Sequence, residues 1–582
     1  MTPRPRERSR FVATVSRRGR FLICEPLFER GPQVALAGGP RVDSGEMVLV
    51  EPRRGGARVL RRLGSPERAR DVAVALLADR GLEQGFAPQL EDEARDAIPA
   101  AREAGVERRD LTALATFTVD PATARDFDDA VSAQPEGDGI RLWIHIADVA
   151  AHVRPGSGLD AEALRRGTST YVPGTVEPML PSALSADACS LAPAVERLAV
   201  TVELVVDAAG EPRSVSFYRS RVRSDARLTY DQLDGFFAGR ATPPVEIAEP
   251  LSLARRAAAS LAERRPVAAL EVESFEPEFE FDADGDVVGA HSVPQTEAHK
   301  LIEHLMIATN ERVAEHCERR RAPTLYRVHE QPDPQRIETL VEQLDSLGVP
   351  TPPLPERLSP REAGELAGEA SRLVAREAKR RGHGREAYTS LVLRSLKQAF
   401  YSERNLGHAG LGSPAYSHFT SPIRRYPDLV AHRALLATLG AGEQAPDPAA
   451  VSEAGWRSSE RERESIRIER AADKLCASFL LRRELFESGW SRSFEGEVSG
   501  VVGAGAFVRF AGELADVYEG FLPARRMPGD RFDLNQTETA LVGRRSGRAV
   551  ALGDPVSVTV TDIEVARGRI DLAPVKEPTD DG

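Results

Sequence analysis

Four aspartates fall within ten residues of each other in the segment TFTVDPATARDFDDAVSA, residues 116–133: Asp120, Asp126, Asp128 and Asp129. Apolar, strand-like runs flank them on both sides, Phe117–Val119 and Ala130–Val131. Clustered carboxylate oxygens select hard cations such as Mg²⁺ or Mn²⁺. Substrate phosphate and water then complete the coordination of the ion. Two such ions about 4 Å apart can activate a water and stabilise a leaving oxygen in phosphodiester hydrolysis. The aspartates are therefore candidate metal ligands.

Two other interpretations compete with a metal site. An EF-hand calcium loop fits poorly, because Asp126 and Asp128 are followed by Ala130 and Val131 and the required glycine is missing. A solvated acidic turn is the ordinary interpretation of an isolated D-x-D-D pattern, although the apolar flanks do not favour it.

A second group of chemically capable residues is YSHFTSPIRRYPDLVAH, residues 416–432. Ser421 and Pro422 have the character of a helix cap and a first helical residue. Arg424 and Arg425 would then lie near a helix N-terminus, where phosphate binding is favoured. One arginine side chain can also bind two oxygens of a phosphate at once. The alternative is an arginine paired with Asp428 on a surface helix.

Composition limits the class of protein. The chain has 582 residues with a net charge of −12, yet residues 371–433 carry twelve Arg or Lys against four Asp or Glu, so a local basic surface is compatible with the acidic total.

Four scattered cysteines form no C-x-x-C motif and fit a reducing cytoplasm. No apolar run is long enough to cross a membrane. The arginine-rich N-terminus imitates a transit peptide, but alternating apolar residues begin by Phe11, and basic arms also bind nucleic acid.

The elements that must position these residues form a multidomain α+β protein, with a central mixed α/β domain between small OB-type β-barrels. Strand-like runs that begin at Phe11, Phe21, Val34 and Met47 belong to the first barrel. A helix is predicted at Arg68–Arg80 after a Ser65 cap. Further helices are predicted at His299–Arg320, Gln335–Ser346, Ala363–Arg381, Tyr388–Ser402 and Val451–Glu487. The predicted division is a barrel with a basic N-terminal arm at 1–64, linker helices at 65–107, a catalytic domain with trailing helices at 108–490, a second barrel at 491–575 and a polar tail at 576–582. Phe507 and Phe510 in the second barrel lie on opposite faces of one strand, so at most one of them can stack on a base.

Five ordered blocks carry a family resemblance: TVDPATARDFDDAV, LWIHIADV, YVPGTVEPMLPSALSADACSL, AHKLIEHLMIATN and HFTSPIRRYPDLVAHR. Together they resemble the catalytic domain of the ribonuclease II/ribonuclease R (RNB) family, over roughly residues 108 to 440. RRYPDL is closer to the ribonuclease R branch. The first barrel resembles a cold-shock module, and the last, with GVVGAGAFVRF, resembles the S-one-type RNA-binding module.

The resemblance implies a processive 3′-to-5′ hydrolytic exoribonuclease that uses Mg²⁺, with Mn²⁺ as the alternative, and releases nucleoside 5′-monophosphates from single-stranded RNA in RNA decay and quality control. It assigns the metal to Asp120, Asp126, Asp128 and Asp129, catalysis to Asp128, Asp129 and Arg424, and RNA contacts to Tyr171, Arg424, Arg425, Tyr326 and Glu469. Glu464 rivals Glu469. Tyr171 would pack the last nucleotide, and Tyr326 would supply the other side of a base clamp.

Other residues of these blocks are expected to be structural: His145, Asp148, His418 and His432, with Phe127 as a buried spacer in the aspartate loop and Arg125 unassigned. Only one cold-shock-like barrel precedes the catalytic domain, where the family usually has two. The protein is expected to be a cytoplasmic, monomeric enzyme without membrane contact. The rival hypothesis is a non-catalytic RNA-binding or translational regulator on the same scaffold; such a protein should have lost metal carboxylates or the SPIR arginine, and this chain retains them.

Overall fold

The first barrel is closed and five-stranded. The computed structural model describes residues 10–82, 85–266, 269–270 and 276–575, so residues 1–9 of the expected arm and the polar tail at 576–582 lie outside the described residues. The strands are β1 (Phe11–Arg18), β2 (Phe21–Pro26), β3 (Val34–Gly38), β4 (Met47–Arg53) and β5 (Gly56–Gly64). They are ordered β1-β2-β3-β5-β4, and pairing of β1 with β4 closes the barrel. Alternating residues such as Ala13, Val15, Val48 and Val50 fill it. The four predicted strands are confirmed, and β5 is added.

Two helices lead from this barrel to the centre, α1 (Ala69–Asp79) and α2 (Pro88–Glu103). The predicted cap at Ser65 is wrong. Helix α1 begins one turn later, with Arg68 at its N-cap and no side-chain cap. The Ser65 hydroxyl instead accepts a hydrogen bond from the Glu67 backbone N–H, 3.2 Å, in the turn that precedes the helix.

The central domain is built on a seven-stranded sheet, ordered β14-β7-β8-β9-β12-β13-β6. Its strands are β6 (Arg109–Asp110), β7 (Phe117–Val119), β8 (Asp129–Glu136), β9 (Gly139–Ala147), β12 (Glu196–Val206), β13 (Pro212–Arg223) and β14 (Ala226–Leu228). Strands β8, β9, β12 and β13 form the antiparallel body, and β7 pairs in parallel with β14. Residues 120–128, which we call the aspartate loop, connect β7 to β8.

Helices and short hairpins make up the rest of the chain between the two barrels. The helices are α3 (Gly158–Arg166), α4 (Tyr230–Phe237), α5 (Val245–Glu263), α6 (Glu297–Arg320), α7 (Pro334–Ser346), α8 (Pro360–Arg381), α9 (Arg385–Ser395), α10 (Tyr426–Thr438) and α11 (Pro448–Ser488). The paired short strands are β10 (Thr170–Val172) with β11 (Thr175–Glu177), β15 (Glu276–Phe281) with β16 (Val287–Val293), and β17 (Tyr326–Val328) with β18 (Phe400–Ser402). None of the helices in the described ranges is both apolar and long enough to cross a membrane.

One predicted helix is wrong in its second half. The pattern from Tyr388 continues to Ser402, but α9 ends at Ser395 and Phe400–Ser402 form β18. Leu396 adopts an extended backbone, and β18 pairs with β17 from Tyr326 to Val328. A strand partner some 70 residues away in sequence therefore overrides local helix preference.

The second barrel is also closed and five-stranded, ordered β19-β20-β21-β26-β25. Its strands are β19 (Ser493–Val502), β20 (Gly505–Phe510), β21 (Tyr518–Pro523), β25 (Pro555–Glu564) and β26 (Arg569–Pro574). A small unpredicted sheet interrupts it, formed by β22 (Phe532–Leu534), β23 (Ala540–Gly543) and β24 (Ala549–Ala551). Phe510 is buried against Phe494 and Tyr518, whereas Phe507 is 37% exposed. The expected architecture of a mixed centre between two OB-type barrels is confirmed.

Candidate active site

The aspartate loop begins where two parallel strands end together. The Asp120 backbone N–H donates to the carbonyl of Leu228, 3.1 Å, at the end of β14. Arg227 donates to the carbonyls of Pro121, 2.7 Å, and Ala122, 2.9 Å. The first turn of the loop is thus tied to β14 through backbone groups as well as a side chain.

The second half of the loop is held by Phe127 and Ser190. Phe127 is 8% exposed, which confirms the expected buried spacer. Its backbone N–H donates to the Ser190 hydroxyl, 3.1 Å, and that hydroxyl donates to the Arg125 carbonyl, 2.9 Å. Ser190 is fully buried and follows a single turn of π-helix at Ala183–Ala188. Sequence reasoning quoted the block that contains Ser190 but gave this residue no role.

Each of the four carboxylates has its own surroundings. Asp128 is 4% exposed; its Oδ1 accepts from the Ile423 backbone N–H, 2.8 Å, and its Oδ2 lies 3.5 Å from the Arg424 Nε. Asp126 accepts from the Tyr171 hydroxyl, 3.0 Å. Asp129 opens β8 opposite Ile146. The buried Oδ2 atoms of Asp120 and Asp128 have no hydrogen-bond donor among the described residues.

Burial makes the charged forms of Asp120, Asp128 and Asp129 costly. It raises the pKa of Asp120 to about 8, with a further contribution from the charge of Asp129. It also raises the pKa of Asp129 to about 6 and that of Asp128 well above its ordinary value, while Arg424 lowers both. Gathered, partly buried carboxylates of this kind need a positive charge beside them.

A hard divalent cation fits the donor set, because every candidate ligand is a carboxylate oxygen and two of the oxygens are buried without a donor. In the described part of the chain, no three Asp, Glu, His or Cys side chains form a ready-made metal-binding group.

The SPIRR segment approaches the aspartates in a conformation that differs from the prediction. The predicted helix start at Ser421 is wrong, since α10 begins at Tyr426 with Pro427 in its first turn. Residues 421–425 instead form a turn in which the backbone N–H groups of Arg424 and Arg425 donate to the Ser421 carbonyl. Arg424 remains 43% exposed in its side chain, beside Asp128, and is the cation available at the mouth of the site.

Arg425 points into the protein. Its Nε and Nη2 donate to the two carboxylate oxygens of Asp428, 2.9 and 2.8 Å, and Asp428 is fully buried. Asp428 also accepts from the Ser421 backbone N–H, 2.8 Å. The arginine–Asp428 pair that the sequence left as the alternative is therefore present, within the fold. The RNA contact expected of Arg425 stays a prediction, and this pairing weighs against it.

Tyr171 and Glu469 lie together at the site. Tyr171, on the β10–β11 hairpin, is 39% exposed, and its backbone N–H donates to Glu469 Oε1, 3.0 Å. The Ser465 hydroxyl, one turn earlier on α11, also donates to Glu469, 3.0 Å. Glu464 is instead within 3.4 Å of Arg467. Of the two rival glutamates, the structure places Glu469 beside Tyr171.

Tyr326 does not have the surroundings of a base clamp. It is 5% exposed on β17 and packs in a small cluster with Ala314, Val328 and Ala415. The stacking role expected of Tyr326 stays a prediction, and this burial of its ring weighs against it. Its sequence neighbours, Leu325, Arg327 and Val328, carry no signal that separates a core tyrosine from a surface one.

The residues expected to be structural have internal partners. His145 is fully buried between the hydroxyls of Ser132, 3.1 Å, and Thr201, 2.9 Å. Asp148 lies between Arg108, 2.8 Å, and Arg219, 2.9 Å. Likewise, His432 bonds to the Phe419 carbonyl and His418 to the Tyr401 hydroxyl.

Comparison with known proteins agrees with this architecture. The family model described as the RNB domain matches residues 108–441, and that of the S1 RNA binding domain matches residues 492–573. Ribonuclease R of Aquifex aeolicus is 34% identical over 555 residues, 91% of this chain and 75% of that protein. Ribonuclease R of Escherichia coli is 35% identical over 495 residues, 82% of this chain but 58% of that longer protein. The structure of Mycoplasma genitalium RNase R in complex with ribose methylated single-stranded RNA superimposes with a TM-score of 0.86 at 25% identity, covering 98% of this chain and 90% of that one. The chain belongs to the RNB family of exoribonucleases.

Proposed function

We propose that this RNB-family protein is a 3′-to-5′ exoribonuclease that hydrolyses single-stranded RNA processively to nucleoside 5′-monophosphates, in RNA decay and quality control. The observation that carries the proposal is the approach of Arg424 to the buried Asp128 within a cluster of four carboxylates. This pairing of a cation with oxygen ligands suits a phosphodiester, whose oxygens interact with both a metal and an arginine.

Asp120, Asp126, Asp128 and Asp129 would hold Mg²⁺, with Mn²⁺ as the alternative cation. When bound, the metal supplies Lewis-acid activation of water and of the scissile phosphate. The backbone N–H of Ile423 keeps Asp128 Oδ1 fixed, which leaves Oδ2 directed at the site. Arg424, 43% exposed and held by the Ser421 hydroxyl at 3.1 Å, is placed to neutralise charge that grows on the phosphate oxygens.

Tyr171 and Glu469 would position the 3′ end of the RNA. The partly exposed Tyr171 ring offers a stacking face, and its hydroxyl bond to Asp126 links that face to the metal ligands. Phe507 on the second barrel would offer another aromatic face along the path of the strand. We further propose that the enzyme acts as a cytoplasmic monomer.

The rival function, an RNA-binding protein without catalysis, requires loss of a metal carboxylate or of the SPIR arginine. The chain retains Asp120, Asp126, Asp128, Asp129 and Arg424, and it places Asp128 beside Arg424. These residues support the catalytic proposal over the rival.

The test is Asp128→Asn, which removes the charge but keeps an acceptor for Ile423. Labelled single-stranded RNA and Mg²⁺ should give monophosphate release at least about a hundredfold slower than wild type, while RNA binding persists. The matched control is Asp138→Asn, in the exposed turn between β8 and β9, where Asp138 pairs with Arg213. It should release monophosphate at the wild-type rate. Undiminished release by Asp128→Asn would overturn the proposal.

A further inference from the structure

Arg227, on the short strand β14, reaches into the aspartate loop. Its backbone lies opposite Thr118 of β7, the strand that leads into the loop. One nitrogen of its guanidinium, Nη2, donates to the Pro121 carbonyl, 2.7 Å, and to the Ala122 carbonyl, 2.9 Å. These two bonds hold the turn that follows Asp120.

The same guanidinium also covers the second half of the loop. Its central carbon lies 5.3 Å from the centre of the Phe127 ring, a distance at which the ring face attracts a cation. The Arg227 Nε is buried and has no hydrogen-bond partner among the described residues, so the two carbonyls and the ring define where the guanidinium lies. Phe127 stands between Asp126 and Asp128. Arg227 thereby joins the first turn of the loop to the part that carries these two carboxylates.

Arg227 also brings a positive charge to the aspartates. Burial, with the charge of Asp129, raises the pKa of Asp120 to about 8, and the charge of Arg227 acts in the opposite direction. Because Arg227 is half-buried, its charge is screened less than that of an exposed arginine. Such a residue has two opposite effects on a bound metal: its charge repels the metal, and its contacts order the carboxylates that bind the metal. The sign of the change in metal affinity when Arg227 is replaced shows which effect is larger.

We propose that Arg227 is a positioning residue for the metal site, whose contacts with both halves of the aspartate loop hold the carboxylates of that loop together around the cation. Replacing a residue that orients metal ligands typically changes metal affinity or activity by about 10- to 100-fold. The expected effect on hydrolysis rests on the proposed nuclease function, whereas the expected effect on cation binding does not.

Cation binding is measured with the full chain and Mn²⁺, without RNA, from the electron paramagnetic resonance signal of free Mn²⁺. Arg227→Met removes the charge and the carbonyl bonds but keeps a long side chain. We expect its dissociation constant for Mn²⁺ to rise about tenfold. If Arg227 acted through its charge alone, the same variant would bind Mn²⁺ more tightly, because a repulsive charge is gone. Unchanged or tighter binding would therefore overturn the proposal.

Arg227→Lys keeps the charge and a group that can donate to both carbonyls. We expect its Mn²⁺ affinity to lie within about threefold of wild type, and an affinity as low as that of Arg227→Met would contradict the role of the carbonyl bonds. The matched control is Arg213→Met, on an exposed arginine of β13 that pairs with Asp138 in the turn between β8 and β9. It should bind Mn²⁺ as wild type does.

The variants are expected to fold, because Pro121 and Ala122 are exposed and their carbonyls can turn to water. Unfolding in urea is measured for each variant, so that a loss of folded protein is separated from a loss of affinity. If Arg227→Met does not fold, Arg227→Gln replaces it, since glutamine is also neutral and is shorter than arginine, and the same expectations apply.

Hydrolysis gives the second readout. At saturating Mg²⁺, kcat of Arg227→Met should fall about tenfold while KM for single-stranded RNA stays within about twofold of wild type, because the loop carries the reacting groups. A raised KM with unchanged kcat would overturn the proposal, since Arg227 would then contact the RNA. If the wild-type chain hydrolyses no RNA, the nuclease function fails, and the Mn²⁺ titration still decides the role of Arg227.

Discussion

Ser190→Ala tests whether the aspartate loop is held in place by one buried hydroxyl. The substitution removes the acceptor of the Phe127 N–H and the donor to the Arg125 carbonyl. A buried backbone group that loses its partner costs about 1–3 kcal/mol. Arg125 is exposed, so its carbonyl can turn to water, and the cost falls on the buried Phe127 N–H. We therefore expect the free energy of unfolding to fall by about 2 kcal/mol.

The larger effect should be on catalysis. Phe127 lies between Asp126 and Asp128, so a loop that shifts by a fraction of an ångström moves both carboxylates. Misplacement on that scale reduces rates by about 10- to 100-fold. The assay is single-turnover release of labelled monophosphate at saturating Mg²⁺, beside urea unfolding of the same variant. RNA affinity measured in EDTA should stay near wild type, because Tyr171, which we propose stacks on the RNA, is not substituted.

Ser185→Ala is the matched control for this variant. Ser185 belongs to the same segment and is 7% exposed, but its hydroxyl bonds to the Pro181 carbonyl in its own turn, 3.3 Å. We expect it to lose about 1 kcal/mol of stability and to keep its rate. The reasoning is refuted if Ser190→Ala loses stability yet hydrolyses RNA within about twofold of wild type, or if the two serine variants lose rate equally.

Three more predictions test separate parts of the site and its support. Tyr171→Ala should weaken RNA binding about tenfold or more, since an aromatic stacking face contributes about 1–3 kcal/mol per base, whereas Tyr171→Phe should bind nearly as wild type in fluorescence anisotropy. Asp428→Asn should lower the free energy of unfolding in urea by about 3 kcal/mol because it leaves a buried arginine fork unpaired, whereas Arg424→Gln, on a half-exposed side chain, should cost less than about 1 kcal/mol. Burial lowers the pKa of His145 to about 3, below its ordinary 6.5, so on acidification the unfolded chain takes up this proton first. The stability it contributes is present above pH 6.5 and is lost as the pH falls toward 3, and in His145→Gln the slope of stability against pH should be smaller by up to about 1.4 kcal/mol per pH unit.

Features set by local pattern were predictable from the sequence. Short strand-like apolar runs that begin at Phe11, Phe21, Val34 and Met47, separated by turn residues, located the first barrel. The apolar runs around the four aspartates likewise placed them between β7 and β8, where the structure has them.

The start of α10 could not be chosen from local signals. Ser421-Pro422 and Tyr426-Pro427 both match the preference for proline in a first helical turn. The second is the helix start because its turn places Asp428 where it accepts from both the Ser421 N–H and the Arg425 fork. Only the folded chain defines that network, since it depends on burying Asp428 completely.

Contacts between residues that are distant in sequence could not be predicted either. Tyr326 and Tyr171 are both tyrosines on short strands, and nothing in their neighbourhoods separates the buried one from the exposed one. Ser190 is 63 residues from Phe127 along the chain, so a motif scan has no reason to connect them. Contacts of this range decide which residues of a recognised block reach the site.

The site is assembled from four distant segments through backbone groups as much as through side chains. The Ile423 N–H fixes Asp128, the Ser169 N–H donates to the Arg424 carbonyl at 2.9 Å, and the Tyr171 N–H reaches Glu469. Each contact orders a segment that carries a candidate functional side chain, so the carboxylates, the arginine and the stacking ring are positioned together. The same assembly confines Asp120, Asp128 and Asp129, whose charged forms burial disfavours, and the half-exposed Arg424 offsets only part of that cost for Asp128 and Asp129. A bound cation would relieve the remainder, and for that reason cation binding at this site should also stabilise the fold that creates it.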